Sequence, residues 1–210
     1  MFGGFGGKDA ELGDPFVDWG LRGLPFPQAR MQLDLFSTEV YYDLETQRSA
    51  DDVGWNNIHL MLIAIGVTWS ARDGFRHWTE GQASSLVTYL TAFDKIISFN
   101  GDGFDSRVLS YYGDVTEINR RSFDLLTDIK RRLGHRISLN AIAKATLNIG
   151  KTADGLQSLQ WWKEGRVDLI AAYCEQDVKV LVDIVQFART HGHVKYYDKI
   201  GTPLTLYVQW

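Results

Sequence analysis

The pattern of apolar and polar positions changes period repeatedly along this chain. In residues 38–46 (TEVYYDLET), apolar and aromatic positions run into two carboxylates spaced by one residue, and the stretch reads as a first strand. Residues 58–70 are apolar and rich in β-branched side chains, which predicts a buried second strand. Residues 75–79 form a third, joined to it through a turn at Arg72-Asp73-Gly74, so the three make an antiparallel meander. Residues 82–93 switch to helical spacing at Leu86, Tyr89, Leu90 and Phe93. A short apolar strand at 95–99 precedes a short helix at 104–112, and 121–126 reads as the last core strand. Ser138 is placed to cap a helix over 139–147. Further helices are expected at 157–163 and, long and amphipathic, at 166–190. The tail, 194–210, reads as a hairpin turning at Gly201-Thr202-Pro203. This succession predicts an α/β fold: a mixed sheet of five or six strands with helices on both faces.

The first 29 residues break the pattern. Seven of the 20 glycines and three of the four prolines lie at or before Pro27, and Phe-Gly-Gly repeats open the chain. Such a segment buries little and reads as a flexible arm (1–29) ahead of a folded domain (30–210, including the hairpin). The 210 residues are 45% hydrophobic, enough for one sizeable core. A net charge of −4 argues against a large surface that coats nucleic acid passively, but not against a local basic rim. The single cysteine, Cys174, excludes an intramolecular disulfide and any multi-cysteine zinc site. No basic stretch followed by an apolar run opens the chain, so no secretory leader is expected, and a reducing, cytoplasmic compartment is the expectation. The longest apolar run, 60–67, is too short to cross a bilayer.

Three constellations carry chemistry. Asp43 and Glu45 alternate with Leu44 on the first strand and so point to the same side. Paired acids repel, and a hard divalent cation relieves the repulsion; otherwise they are solvated acids at a strand end. The second is Asn100-Gly101-Asp102-Gly103-Phe104-Asp105, a strand end, a glycine-rich turn and the opening of a helix, which is where α/β proteins place ligands. Asp105 there also suits a plain helix start, and Asn100 a plain turn. The third is Tyr173-Cys174-Glu175-Gln176-Asp177. Glu175, Lys179 and Asp183 form the solvent face of the long helix, whereas Asp177 falls among Ile170, Tyr173, Leu181 and Ile184. An acid on that face is paired with a base, neutralised or bound to metal.

Taken in order, these motifs resemble the ribonuclease H-like 3′–5′ exonuclease superfamily called DEDD after its four metal-binding acids. Asp43 and Glu45 match Asp-x-Glu on the first strand. Asn100, Gly101, Phe104 and Asp105 match Asn-Gly-x-x-Phe-Asp, most similar to the proofreading domains of family-B DNA polymerases. Tyr173 and Asp177 match the Tyr-x-x-x-Asp of the tyrosine branch; the histidine branch would need histidine where Ala172 stands. The short chain, with Phe123-Asp124-Leu125-Leu126 after the second motif, also looks like stand-alone or helicase-associated members. The resemblance implies two Mg²⁺ or Mn²⁺ ions held by Asp43, Glu45, Asp105 and Asp177, with Asp43 bridging them. It implies Tyr173 orienting the attacking water, and Asn100, Gly101 and Phe104 near the terminal nucleotide. The expected activity is 3′–5′ hydrolysis of single-stranded nucleic acid, DNA favoured, with no membrane association and a polymerase or helicase as partner in trans. A catalytically silent nucleic-acid-binding or scaffolding domain on the same fold, and a structure-selective endonuclease, are the alternatives.

Other residues carry weaker expectations. Lys130, Arg131, Arg132 and Arg136 form the densest basic cluster and could meet phosphates, Arg131 and Arg132 first among them; a solvated helix face is the plain alternative. Trp161 and Trp162 read as core or interface packing more readily than as base-stacking platforms. Cys174 reads as packed, Asp124 as a helix cap, and His191-Gly192-His193 as a helix-ending turn.

Overall fold

The structure, a computed structural model, describes residues 38–150 and 155–210. The glycine- and proline-rich arm expected at 1–29 lies outside the described residues. Five strands form one sheet: β1 (Glu39–Thr46), β2 (Ile63–Ser70), β3 (Gly74–Trp78), β4 (Lys95–Ser98) and β5 (Ser122–Asp124). Their order is β3-β2-β1-β4-β5, so β1 is central. β1 and β3 pair antiparallel with β2, whereas β4 runs parallel to β1 and to β5. The sheet is mixed, as the sequence predicts.

Alternation along β1 divides the interior in two. Val40, Tyr42 and Leu44 enter one core with Ile58, Met61, Trp78, Leu86, Leu90 and Phe93. Here the sheet is covered by α2 (Ala83–Leu90), α3 (Asp105–Leu109) and α4 (Thr116–Arg121). Tyr41 faces the other way, onto Ile97, Leu125, Ile129, Ile170, Cys174, Val178 and Leu181. That layer is built by α5 (Leu125–Leu133), α6 (Leu139–Leu147), α7 (Gly155–Lys163) and α8 (Val167–His191). The hairpin β6 (His193–Tyr197) and β7 (Pro203–Tyr207) packs beside them, and a short helix α1 (Ala50–Val53) follows β1. Arg189, near the end of α8, holds Glu39 at the start of β1 through two bonds of 2.8 Å. Among the described residues no helix is long and apolar enough to cross a membrane.

Two expected strands are shorter than the apolar pattern suggests. Residues 58–61 lie in a 3₁₀ segment, Trp55–Met61, followed by Leu62 with φ of 55°. Ile58 and Met61, three apart, bury on the same side there, a spacing that an apolar run hides. Likewise Leu125 and Leu126 open α5 instead of closing β5. The physical reason is Asp124, whose side chain accepts from Leu126 N and Thr127 N and so starts a helix. Its role as a cap was legible, but not the helix it begins. Ser138 caps α6 as expected, accepting from Ala141 N at 3.2 Å.

Asp124 does more than cap. Its Oδ1 also accepts from Asn100 N at 2.8 Å and its Oδ2 from Asp102 N at 3.2 Å, fastening the loop after β4 to the end of β5. Asp124→Ala leaves all four donors without this partner and is expected to cost about 2–4 kcal/mol. Asp124→Asn keeps Oδ1, which takes three of the four bonds, and should cost well under half of that. Urea denaturation of both variants checks this; equal losses would show that the bonds are not what this side chain contributes.

Candidate active site

β1 pairs with β4 only as far as Tyr41 with Ile97, because β4 ends at Ser98. The second half of β1 therefore outruns its parallel neighbour, and a crevice opens at the carboxyl end of the sheet. Asp43 and Glu45 lie in it, on the α8 side of the strand. Asp177 enters from α8, beside the buried stripe of Ile170, Cys174, Val178 and Leu181. One carboxylate oxygen from each of Asp43, Glu45 and Asp177 can be chosen so that all three lie within 4.8 Å of one another. Asp105 opens α3 and is buried, its Oδ1 accepting from Leu44 N at 3.1 Å. It stands outside the close trio, yet of the neighbouring charges its own acts most strongly on Asp43.

These acids are electrostatically frustrated. Burial pushes Asp43 well above the usual carboxylate range, and the charges of Asp105, Asp177 and Glu45 push it further. Burial raises Glu45 to about 8, with Asp177 and Asp105 adding to the shift and the nearby Ser158 hydroxyl opposing it. Burial raises Asp105 to about 7, with Asp124 adding to the shift. Buried carboxylates in this state protonate or take up a cation. An all-carboxylate donor set suits a hard ion such as Mg²⁺ or Mn²⁺. Cys174, which could have brought soft-metal chemistry, is instead fully buried, and its Sγ–H faces the main-chain O and Oδ2 of Asp43 at 3.4 and 3.6 Å. Burial pushes its thiol far up, so it is a donor to Asp43 and not a thiolate ligand. The residues present fit a hard divalent cation.

Tyr173 lies one turn before Asp177 and is half-buried. Burial, the Asp177 and Glu45 charges and a hydrogen bond to Asp177 hold its hydroxyl protonated, well above an ordinary phenol. Trp161 packs edge-on against the Tyr173 ring, centroids 6.3 Å apart. Trp161 and Trp162 are both partly buried against the core. Glu175, Lys179 and Asp183 keep the expected solvent row, with Glu175 reaching His77 Nε2 on β3 at 2.8 Å and Lys179 and Asp183 pairing with each other.

The loop after β4 is tightly determined. Asn100 adopts a left-handed φ of 72°, a conformation asparagine tolerates better than most residues. A Cβ on Gly101 would come within 2.2 Å of Ser98 Oγ and 2.9 Å of the Tyr42 hydroxyl, so only glycine fits. Phe104 packs against the core of Val40, Tyr42 and Leu44. Of the basic cluster, Arg131 and Arg132 both pair with the buried Asp128, whereas Arg136 donates through Nη2 to Asn100 Oδ1 at 2.9 Å. Lys130 is exposed. The sequence reading passed over Ser158, a fully buried serine on α7. Its spacing of three and four residues from Trp161 and Trp162, on an otherwise apolar stripe, was the available signal.

A mixed sheet with its central strand delivering acids to the carboxyl-end crevice, against a long helix that adds another, defines an α/β fold of the ribonuclease H type with a carboxylate centre. The family model described as the RNase_H superfamily matches residues 40–189, from β1 through α8. The chain belongs to this superfamily. Among solved structures it is similar to the family B DNA polymerase from the hyperthermophilic archaeon Pyrobaculum calidifontis, with a TM-score of 0.54 and 14% identity over 71% of this chain. The match spans 24% of that polymerase. No curated protein matches the chain.

The raised carboxyl pKa values imply a pH-dependent stability. The fold favours the protonated form of these groups, so their contribution is fully present below the unfolded values of 4.5 for Glu45 and 3.8 for Asp105. It is lost as pH rises to about 8 and about 7 respectively. Without metal, the melting temperature is therefore expected to fall between about pH 5 and about pH 8, and saturating Mn²⁺ to offset the fall by holding the ionised forms. Asp43→Asn removes one repelling charge and should flatten the metal-free slope. Scanning calorimetry in chelator and in Mn²⁺ reads this out, and a flat metal-free profile would contradict it.

Proposed function

We propose that this protein is a metal-dependent 3′–5′ exonuclease that hydrolyses phosphodiester bonds of single-stranded nucleic acid, with DNA as the favoured substrate. The observation that carries the reading is the convergence of Asp43, Glu45 and Asp177 within 4.8 Å, with Asp105 close behind and the Tyr173 hydroxyl on Asp177. The superfamily and the likeness to a family B DNA polymerase support it. Two Mg²⁺ or Mn²⁺ ions bound here would activate a water and neutralise charge at the scissile phosphate. Asp43, Glu45, Asp105 and Asp177 would hold them through their carboxylate oxygens.

Tyr173 is too weak an acid to ionise and act as a base at neutral pH, so its part is to orient the attacking water from a hydroxyl fixed on Asp177. Asn100, Gly101 and Phe104 would shape the place of the terminal nucleotide. Arg136, bonded to Asn100, is best placed to meet a phosphate; Arg131 and Arg132 would act from their positions on Asp128. A silent scaffold is disfavoured by the same acids, since crowded, repelling carboxylates cost stability unless a cation offsets their charge.

Tyr173→Phe removes one hydroxyl and leaves the carboxylates in place. It is expected to slow hydrolysis of end-labelled single strands about 10- to 10³-fold while the melting-temperature rise with Mn²⁺ persists. Asp43→Asn should slow it more. Full activity together with a lowered melting temperature would leave Tyr173 a packing residue only. Shortening from the 3′ end that stops at a 3′ block marks an exonuclease; internal fragments would mark an endonuclease instead.

A further inference from the structure

A second concave surface lies on the face of the sheet opposite Asp43 and Glu45. A groove of about 490 Å³ runs between β3 and α2, lined by Arg76, Trp78, Tyr89, Ser84, Ser85 and Thr88. The Trp78 and Tyr89 rings pack with centroids 5.0 Å apart, and the guanidinium carbon of Arg76 lies 4.8 Å from the centre of each. Stacking on two rings restrains the guanidinium plane and leaves its in-plane N–H donors unused. Among the described residues neither Arg76 nor the Ser85 hydroxyl makes a hydrogen bond or an ion pair. Asp73, three residues before Arg76, is already held by Arg72 at 2.9 Å and by the Tyr89 hydroxyl at 2.7 Å. The Ser84 and Thr88 hydroxyls donate to the main-chain oxygens of Tyr112 and Ser84. An unpaired guanidinium, ordered in advance and sharing an open groove with a free hydroxyl, matches a phosphate group, whose oxygens accept two N–H bonds at once.

The groove lies at the same end of the sheet as the acids. Trp78 stands opposite Gly66, and Gly66 opposite Leu44, the residue between Asp43 and Glu45. Two strand spacings, about 10 Å, separate this end of β3 from β1. Ser84 bonds Tyr112 O, and the Tyr112 hydroxyl accepts from Ile63 N, the partner of Thr46 at the end of β1. A nucleic-acid strand whose 3′ end lies among the acids has this groove within a few nucleotides. We propose that the groove holds a phosphate of the single-stranded substrate on the 5′ side of the scissile bond, with Arg76 as the residue that binds it. This rests on the nuclease reading above and adds to it an anchor outside the carboxylate crevice.

The test is fluorescence anisotropy of a phosphorothioate single strand of about 20 nucleotides on the full chain in Mn²⁺, over a range of KCl, for wild type, Arg76→Met and Arg76→Lys. Methionine keeps an apolar cover on the two rings and carries no charge. Arg76→Met is expected to weaken binding about 10-fold and to make the slope of log affinity against log salt shallower by about 0.7, the share of one phosphate on a single strand. Arg76→Lys should keep the slope and recover part of the affinity. A packing role would instead lower the melting temperature and leave the slope as it is. Arg76→Met with wild-type affinity and slope overturns the proposal, as does a weakening with an unchanged slope. A phosphoserine peptide that displaces the strand from wild type and fails to bind Arg76→Met would give the groove to a protein partner and overturn it too. Wild type that neither binds nor shortens single strands removes the nuclease reading together with this anchor; wild type that does both, with Arg76→Met unmoved, removes the anchor alone.

Discussion

The repulsion among buried carboxylates at the end of β1 is the constraint around which this molecule is arranged. Asp43, Glu45, Asp105 and Asp177 approach from three elements, and burial and like charge together disfavour ionisation of Asp43, Glu45 and Asp105. Folding brings them together because the surrounding cores repay the cost. Tyr41 and Tyr42, on either side of the same strand, are each buried in a different core, so the acids are carried into the crevice by a strand that packing fixes on both faces. An acidic site that is uncomfortable when empty gains the most from a bound cation.

The scaffold that aims these groups is largely polar. Asp124 fastens the loop after β4 and starts α5, Gly101 lets that loop pass over Ser98 and Tyr42, and Arg136 reaches its outer side through Asn100. These contacts determine where Asp105 begins its helix. At the other end of the sheet, Glu39 and Arg189 join the first strand to the last turn of α8. Asp43 and Asp177, far apart in sequence, are thereby held on two elements braced at their far ends. Among the described residues, Glu39 is paired with Arg189 and Asp128 with Arg131 and Arg132, whereas like charges crowd together at Asp43, Glu45, Asp105 and Asp177, an uneven distribution that points to function.

Much of this was legible in the chain itself. A period of two placed Asp43 and Glu45 on one face, and a period of 3.6 placed Asp177 among apolar residues and Lys179 with Asp183 outside. The strand and helix order implied a mixed sheet, and the resemblance carried by the ordered acidic motifs implied a hard-cation site. Periodicity is local, so what it encodes survives folding: which side a residue takes, and where a helix is capped.

The tertiary structure decided what depends on distant neighbours. It made Asp43, Glu45 and Asp177 the close trio and set Asp105 behind them. It turned Arg131 and Arg132 onto Asp128 while Arg136 reached Asn100. It drew Glu175 to His77 on the edge strand. It also converted residues 58–61 and the Leu125-Leu126 pair from expected strand into 3₁₀ and α-helix, because apolar side chains fill a core equally well from either backbone. Sequence period fixes direction; depth, partner and pKa follow only from the segments that packing brings alongside.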